Sequence, residues 1–171
     1  MLRIAPGALF VSQRLRDSAF LFGGGMLQRI STVLMLLVIV ACQPIGPMPG
    51  GALSGTVQPV PAEWGELAKV ETVQLETRPG SPYSVNIWGV ALGANYYVAA
   101  GSGETSWTKN IAADANVRLR AGESIFELRA VHVTEAAELE QVRAAYGAKY
   151  EMSDDQRKQS GQATVYRLDR R

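Results

Sequence analysis

The chain has 171 residues, 47% of them hydrophobic and 19% charged, a composition that allows one domain with a packed core and excludes disorder throughout. The formal charge of +1 hides an asymmetry, because Arg3, Arg14, Arg16 and Arg29 stand near the N-terminus with only Asp17 against them, and from Gln43 onward 13 Lys and Arg face 15 Asp and Glu, a net −2. No basic field toward nucleic acid or anionic lipid headgroups is expected from that balance, and with one Cys and one His the chain has no intramolecular disulfide, no multi-ligand zinc site, no Cys-His pair without Cys42 and no Ser-His-Asp triad without His132.

The first element is a leader. Arg29 precedes the apolar run Ile30 to Ala41, which is shorter than the roughly 20 residues of a spanning helix and fits the hydrophobic region of a signal peptide. Met26-Leu27-Gln28-Arg29 forms a compact basic start, so residues 1–25 read as an upstream extension; their Arg-rich, acid-poor character also allows a transit peptide. The run ends in Ile39-Val40-Ala41-Cys42, which resembles the lipobox of bacterial lipoproteins. That resemblance implies cleavage after Ala41, acylation of Cys42, export, and a cell-envelope location with the membrane as a partner; Gln43 after the cysteine favours an outer membrane in a two-membrane bacterium. A plain buried or free Cys42 is the alternative. Residues 42–61 contain Pro44, Pro47, Pro49, Pro59 and Pro61 with Gly46, Gly50, Gly51 and Gly55 and no charge, the composition of a flexible linker. Residues 43–61 would span roughly 24 Å as a coil and about 59 Å as polyproline.

A domain is expected over residues 62–171. Val70 to Thr77 is rich in strand formers and meets the turn residues Arg78-Pro79-Gly80-Ser81-Pro82 before a second strand, Tyr83 to Leu92. Gly93-Ala94 turns the chain into a third strand, Asn95 to Ala100, which ends at Gly101-Ser102-Gly103. Trp107, Ile111 and Ala112 then fall at helical spacing, with Thr105 or Ser106 as N-cap. Val117 and Leu119 alternate with polar residues over Ala115 to Arg120, and Ala121-Gly122 closes a hairpin with Ser124 to Val133. Thr134 is the expected cap of a second helix with Leu139, Val142 and Tyr146 on its apolar face; Asp154 to Gly161 is expected as a polar loop and Ala163 to Leu168 as the last strand. Six strands joined by tight turns, with two helices, predict a mainly β (α+β) fold, an antiparallel six-stranded barrel whose closure removes exposed edges. A two-layer α+β sandwich is the alternative.

The segment Ser106-Trp107-Thr108-Lys109-Asn110-Ile111-Ala112-Ala113-Asp114-Ala115-Asn116-Val117-Arg118-Leu119 resembles the helix and following strand of the flavin- and deazaflavin-binding split-barrel proteins, the group of pyridoxamine phosphate oxidase and the deazaflavin-dependent nitroreductases. The likeness covers roughly residues 68–169, and the order of elements around Thr77, Trp88 and the glycines is similar. It implies a split β-barrel, an FMN or deazaflavin cofactor, hydride transfer and a homodimer. It also implies site residues. Gly101-Ser102-Gly103 with Ser106 and Lys109 would meet an anionic cofactor tail at a helix N-terminus, Ser84, Asn86 and Trp88 would border the ring, and Trp107 and Asn110 of the resembling segment are further cofactor-binding candidates. The first hairpin departs from the family pattern, since Arg78 is the one basic residue left where two or three are usual.

Each of these residues also has a plainer role. Trp88 and Trp107 suit a core, Lys109 a solvated helix face, Ser102 and Gly103 a turn, His132 a core or barrel-rim position, and Glu135, Glu138 and Glu140 a solvated face. Two functions follow: a cofactor-dependent oxidoreductase, or a cofactor-free binding or scaffold module of the cell envelope.

Overall fold

A computed structural model describes residues 43–171; the assignments for residues 1–25, 26–41 and Cys42 lie outside the described residues. The strands are β1 (Thr56–Val57), β2 (Thr72–Thr77), β3 (Tyr83–Leu92), β4 (Asn95–Ala100), β5 (Asn116–Ala121), β6 (Ser124–His132) and β7 (Thr164–Arg170). The helices are α1 (Ser106–Ala113), α2 (Ala136–Lys149) and α3 (Asp154–Ser160), and a 3-10 turn spans Gly65–Lys69.

Strands β6, β5, β2, β3, β4 and β7 pair antiparallel in that order, and β7 returns to β6 through Leu128↔Arg170 to His132↔Tyr166, closing a six-stranded barrel. Alternation sets what fills it. Val73 and Leu75 of β2 lie opposite Ile87 and Val85 of β3, and Tyr96, Val98, Val117, Leu119, Phe126, Leu128, Tyr166 and Leu168 join them in one apolar cluster. Gly89 lies opposite Val98, and a Cβ there would stand 2.5 Å from the Tyr96 ring, so the glycine makes the room that the tyrosine occupies.

Tryptophans close the barrel. Trp64, beside the 3-10 turn, packs on Tyr96 and Phe126 with ring centroids at 4.7 and 5.1 Å and donates its indole N–H to Ala94 O at 3.1 Å. Trp107 and Ile111 of α1 enter the same cluster, Trp107 edge-on to Tyr166 at 5.6 Å. The interior is therefore packed with side chains, and any ligand site is on the outside.

Two coverings lie on that outside. Helix α2 buries Val142 against Val90, Tyr97 and Val165, which point outward from β3, β4 and β7. The second covering is the segment 43–58, here called the strap. Sequence composition makes it a flexible linker, but it is hydrogen-bonded to the barrel along its length: Gly50 exchanges both backbone bonds with Ser84 (2.8 and 2.9 Å), and Gln58 N donates to Ile125 O at 2.9 Å. Its β1 adds in parallel to β6, Thr56↔Ser124 and Val57↔Ile125. Gly55 makes this approach possible, since a Cβ there would meet Glu123 O at 2.8 Å and its φ is +152°.

Two local expectations are corrected. The region Asp154 to Gly161 is a helix over Asp154–Ser160, because Ser153 and Gln156 form a reciprocal capping box that satisfies its first amides. The cap of α2 is Glu135, whose carboxylate accepts from Ala137 N, in place of Thr134.

Candidate functional site

The residues singled out in the sequence fall into three places. The first is the N-terminal end of α1. Thr105 caps it, its hydroxyl accepting from Thr108 N while Thr108 Oγ1 accepts from Thr105 N. Ser102, Gly103 and Ser106 are exposed beside it, and the Lys109 ammonium is 3.1 Å from Glu104 Oε2, so its charge already has a partner. Trp107 is buried core, as the plainer reading had it.

The second place is where α1 meets the β2–β3 turn. Asn110 Nδ2 donates to Thr77 Oγ1 at 3.0 Å, and the Thr77 hydroxyl donates to Tyr83 O at 3.2 Å, which ties the helix to both strands. Arg78, at φ 54°, lies 5.8 Å from the centroid of the Tyr83 ring.

The third place is the outer face of β3, where Ser84, Asn86 and Trp88 alternate as expected. The strap lies over its first part. Asn86 Nδ2 donates to Pro44 O (3.2 Å) and Gly46 O (3.0 Å), and its carbonyl accepts from Gln74 Nε2 at 3.1 Å, so the whole amide is engaged. Beside it Glu76, 2% exposed, accepts from Leu53 N and from Arg118 Nη1 at 3.1 and 3.2 Å. Leu53 is buried above this pair. Ser84 is fully buried and its hydroxyl has no hydrogen-bond partner.

Trp88 is different: it is 47% exposed and stacks on Tyr150 at 4.4 Å and 10°. The Tyr150 hydroxyl accepts from Gly89 N (3.0 Å) and donates to Glu71 O (2.8 Å), while Tyr146 donates to Trp88 O at 3.0 Å. Lys149 Nζ donates to Val70 O and Gly89 O at 2.8 and 2.7 Å. Burial pushes the Lys149 ammonium below the usual lysine range, against the pull of Glu71, and burial holds Tyr150 and Tyr146 above the usual tyrosine range. Trp88 and Tyr83 are five residues apart on an extended strand, about 17 Å. The ring-bordering residues are thus spread along the length of β3, with Ser84 next to Tyr83 at the β2–β3 turn and Trp88 toward the far end.

His132 is an exposed rim residue at the end of β6, its ring 5.6 Å from Tyr166. An open depression of about 330 Å³ lies beside Glu63, Trp64, Gly65, Ala68, Ala91 and Gly93, and none of the expected site residues lines it. Among the described residues no cluster of three or more His, Cys, Asp and Glu could hold a metal ion.

Sequence reasoning missed Glu76, Arg118, Lys149 and Tyr150. Glu76 and Arg118 sit at outward positions of alternating strands, where a charged residue ordinarily meets water, and only the strap makes them a buried pair. Lys149 and Tyr150 come to Trp88 across some sixty residues of chain, which no local spacing records.

Residues 66–167 match the family described as "Uncharacterized protein conserved in bacteria (DUF2255)". The chain belongs to the DUF2255 family. No curated protein matches it. Among solved structures, this DUF2255 chain is similar to HutZ, the heme storage protein from Vibrio cholerae (21% identity, 67% of this chain and 92% of that one, TM-score 0.51). It is also similar to the conserved hypothetical protein Rv2991 from Mycobacterium tuberculosis (17% identity, 66% and 82%, TM-score 0.51). A FAD-binding protein from Mesorhizobium loti matches at 15% identity over 61% and 84% of the two chains, TM-score 0.44. The fold of this DUF2255 chain is the mainly β closed six-stranded barrel expected from sequence, with an extra strand and three helices.

Proposed function

We propose that this DUF2255 protein is a membrane-anchored split-barrel module of the cell envelope that binds a partner without a resident cofactor. The observation that carries the reading is the state of the polar groups that a flavin or deazaflavin would need. Asn86 is consumed by strap carbonyls and Gln74, Lys109 faces Glu104, Glu76 and Arg118 hold each other and Leu53, and Arg78 rests on Tyr83. To use Asn86, Lys109 or Arg118 an anionic cofactor tail would have to displace partners already in place, and Arg78, exposed on its turn, is the one expected cofactor-binding cation without an ion pair among the described residues. As folded, these residues offer the group one open cation, and Asn86 lies under the strap. The anchor rests on Ile30 to Cys42 and their likeness to a lipobox. Titration of the full-length protein with FMN and with a deazaflavin, followed by absorbance and fluorescence, is the test: no spectral change is expected, and stoichiometric binding of either overturns the reading.

One observation favours a second reading, an FMN- or deazaflavin-dependent oxidoreductase. The Ser84 hydroxyl is buried beneath the strap without a partner, a costly state for a polar group, and the Ser106 to Leu119 segment resembles proteins that carry such cofactors. A bound flavin or deazaflavin would supply the hydride chemistry, and the protein would orient it and exclude water. The strap would have to leave first. Leu53→Asp sets a second carboxylate beside Glu76 and loosens the strap; cofactor binding by this variant and not by the parent supports the second reading.

A further inference from the structure

We infer that the outer face carrying the strap turn and Trp88 is the surface on which the protein sits against the lipid bilayer. The inference rests on the anchor reading above and concerns the distance between anchor and barrel. Gln43 is fixed to the barrel by Arg120 of β5, whose Nη1 donates to its side-chain carbonyl at 3.1 Å, and to the strap's own Ser54, whose Oγ accepts from its amide nitrogen at 2.9 Å. Pro44 and Gly46 are fixed to Asn86 directly afterwards. The tether of tens of ångströms that the composition suggests is therefore taken up along the sheet. An anchor ending at residue 42 is one peptide link, about 3.8 Å, from a residue bonded to the barrel.

Apolar side chains stand at that point. Ile45 and Met48 exchange backbone hydrogen bonds at 3.1 and 3.0 Å around Gly46-Pro47, a tight turn that leaves them 52% and 61% exposed. Asn86 holds this turn, and Trp88 is the next residue on the same face of β3, two positions and about 6.7 Å along. Of the four large hydrophobic residues exposed among the described residues, three are thus grouped beside the anchor; the fourth, Val57, is on β1. Trp88 stacks on the ring of Tyr150, so an aromatic pair stands at the edge of this face. Shallow insertion would bury three side chains that the fold leaves in water.

The test uses the full-length protein on vesicles of phosphatidylethanolamine and phosphatidylglycerol containing a lipid brominated in its acyl chains. Flotation reports the anchor, and bromine quenching reports the seating. Trp64 and Trp107 are buried in the barrel, so the quenchable emission belongs to Trp88. The expected result is flotation with a loss of tryptophan emission that Trp88→Phe abolishes, and a smaller loss in Ile45→Asp/Met48→Asp with flotation unchanged. A protein that floats with Trp88 unquenched by bromine and open to aqueous iodide overturns the seating and leaves the anchor standing. Shielding of Trp88 from both quenchers identifies a second copy of the chain on this face and also overturns it. Failure to float overturns the anchor and the seating together.

Discussion

The two coverings of the barrel differ in the apolar area that holds them. Helix α2 buries Val142 on Val90, Tyr97 and Val165 of β3, β4 and β7, a contact that gains from the area it removes from water, and adds the hydrogen bonds of Tyr146 and Lys149 to β3 and of Tyr97 and Arg167 to Glu138. The strap lies on β3, β2, β5 and β6 through backbone bonds and a few polar groups, Asn86, Glu76 and Arg118, with Leu53 as its one buried large side chain. Hydrogen bonds exchanged with water contribute about 1 kcal/mol each on balance, so a covering built from them opens locally more readily than one built from packed area. The strap is therefore expected to come away before the barrel opens, and the helix to leave only with the fold.

Substitutions on the two sides should separate accordingly. Val142→Asp places an unpaired charge in the helix contact and is expected to cost more than about 4 kcal/mol, seen as loss of cooperative urea unfolding. On the strap side, Glu76→Ala leaves the Arg118 guanidinium and the Leu53 amide without their acceptor, for a loss of about 3 kcal/mol. Its distinguishing mark is limited proteolysis: cleavage within 43–55 should appear well before cleavage of the barrel. Glu76→Gln keeps an acceptor for Leu53 and should lose less. If Glu76→Ala unfolds strap and barrel in one step, the strap is as integral as the helix and the contrast fails.

What the sequence shows of these two sides follows from the same physics. Alternation in β2, β5 and β6, the turn residues Gly93 and Gly122, and the Thr105 cap are local signals, and the strands and α1 appear where they point. The strap is invisible to such rules, because a Pro- and Gly-rich segment without charge looks like a linker, and its partners are main-chain groups and two outward-facing charges far along the chain. Helix α3 was legible in principle from Ser153 and Gln156, a capping-box pair, but its uniformly polar residues offer no apolar period. In the candidate site, Asn86 and Ser84 lie on the outer face as expected, while what covers them, and what stacks on Trp88, is decided by tertiary contact.

Among the groups that hold the strap, Asn86 carries a smaller share of the attachment than Glu76. Asn86→Ala removes the donor to Pro44 and Gly46 and should cost about 1 kcal/mol. Most of that should appear as local opening. Hydrogen exchange at the Gly50 amide, which donates to Ser84 O, is expected to speed up several-fold while amides of β4 and β7 keep their rates. Equal acceleration in both places would show that the strap does not open by itself.

The smallest effect lies on the helix side and depends on pH. Burial holds Tyr146 and Tyr150 of the α2 end, and Tyr96 inside the barrel, above the usual tyrosine range near 10. The folded state therefore keeps protons that the unfolded chain has released, so their contribution is complete below about pH 10 and is lost as pH rises through the raised folded values. Lys149 acts in the other direction. Its folded value is lowered by burial, so between that value and the usual lysine range near 10.4 the unfolded chain holds the extra proton and stability rises with pH. The two slopes oppose each other, giving a shallow maximum in thermal midpoint on the alkaline side, followed by a fall. Lys149→Met removes the rising limb and leaves the fall, whereas Tyr146→Phe makes the fall shallower. Because the strap carries no tyrosine or lysine, its proteolysis should not track this limb, and a strap that loosens in step with tyrosine ionisation would mean that the two coverings are coupled through Trp88.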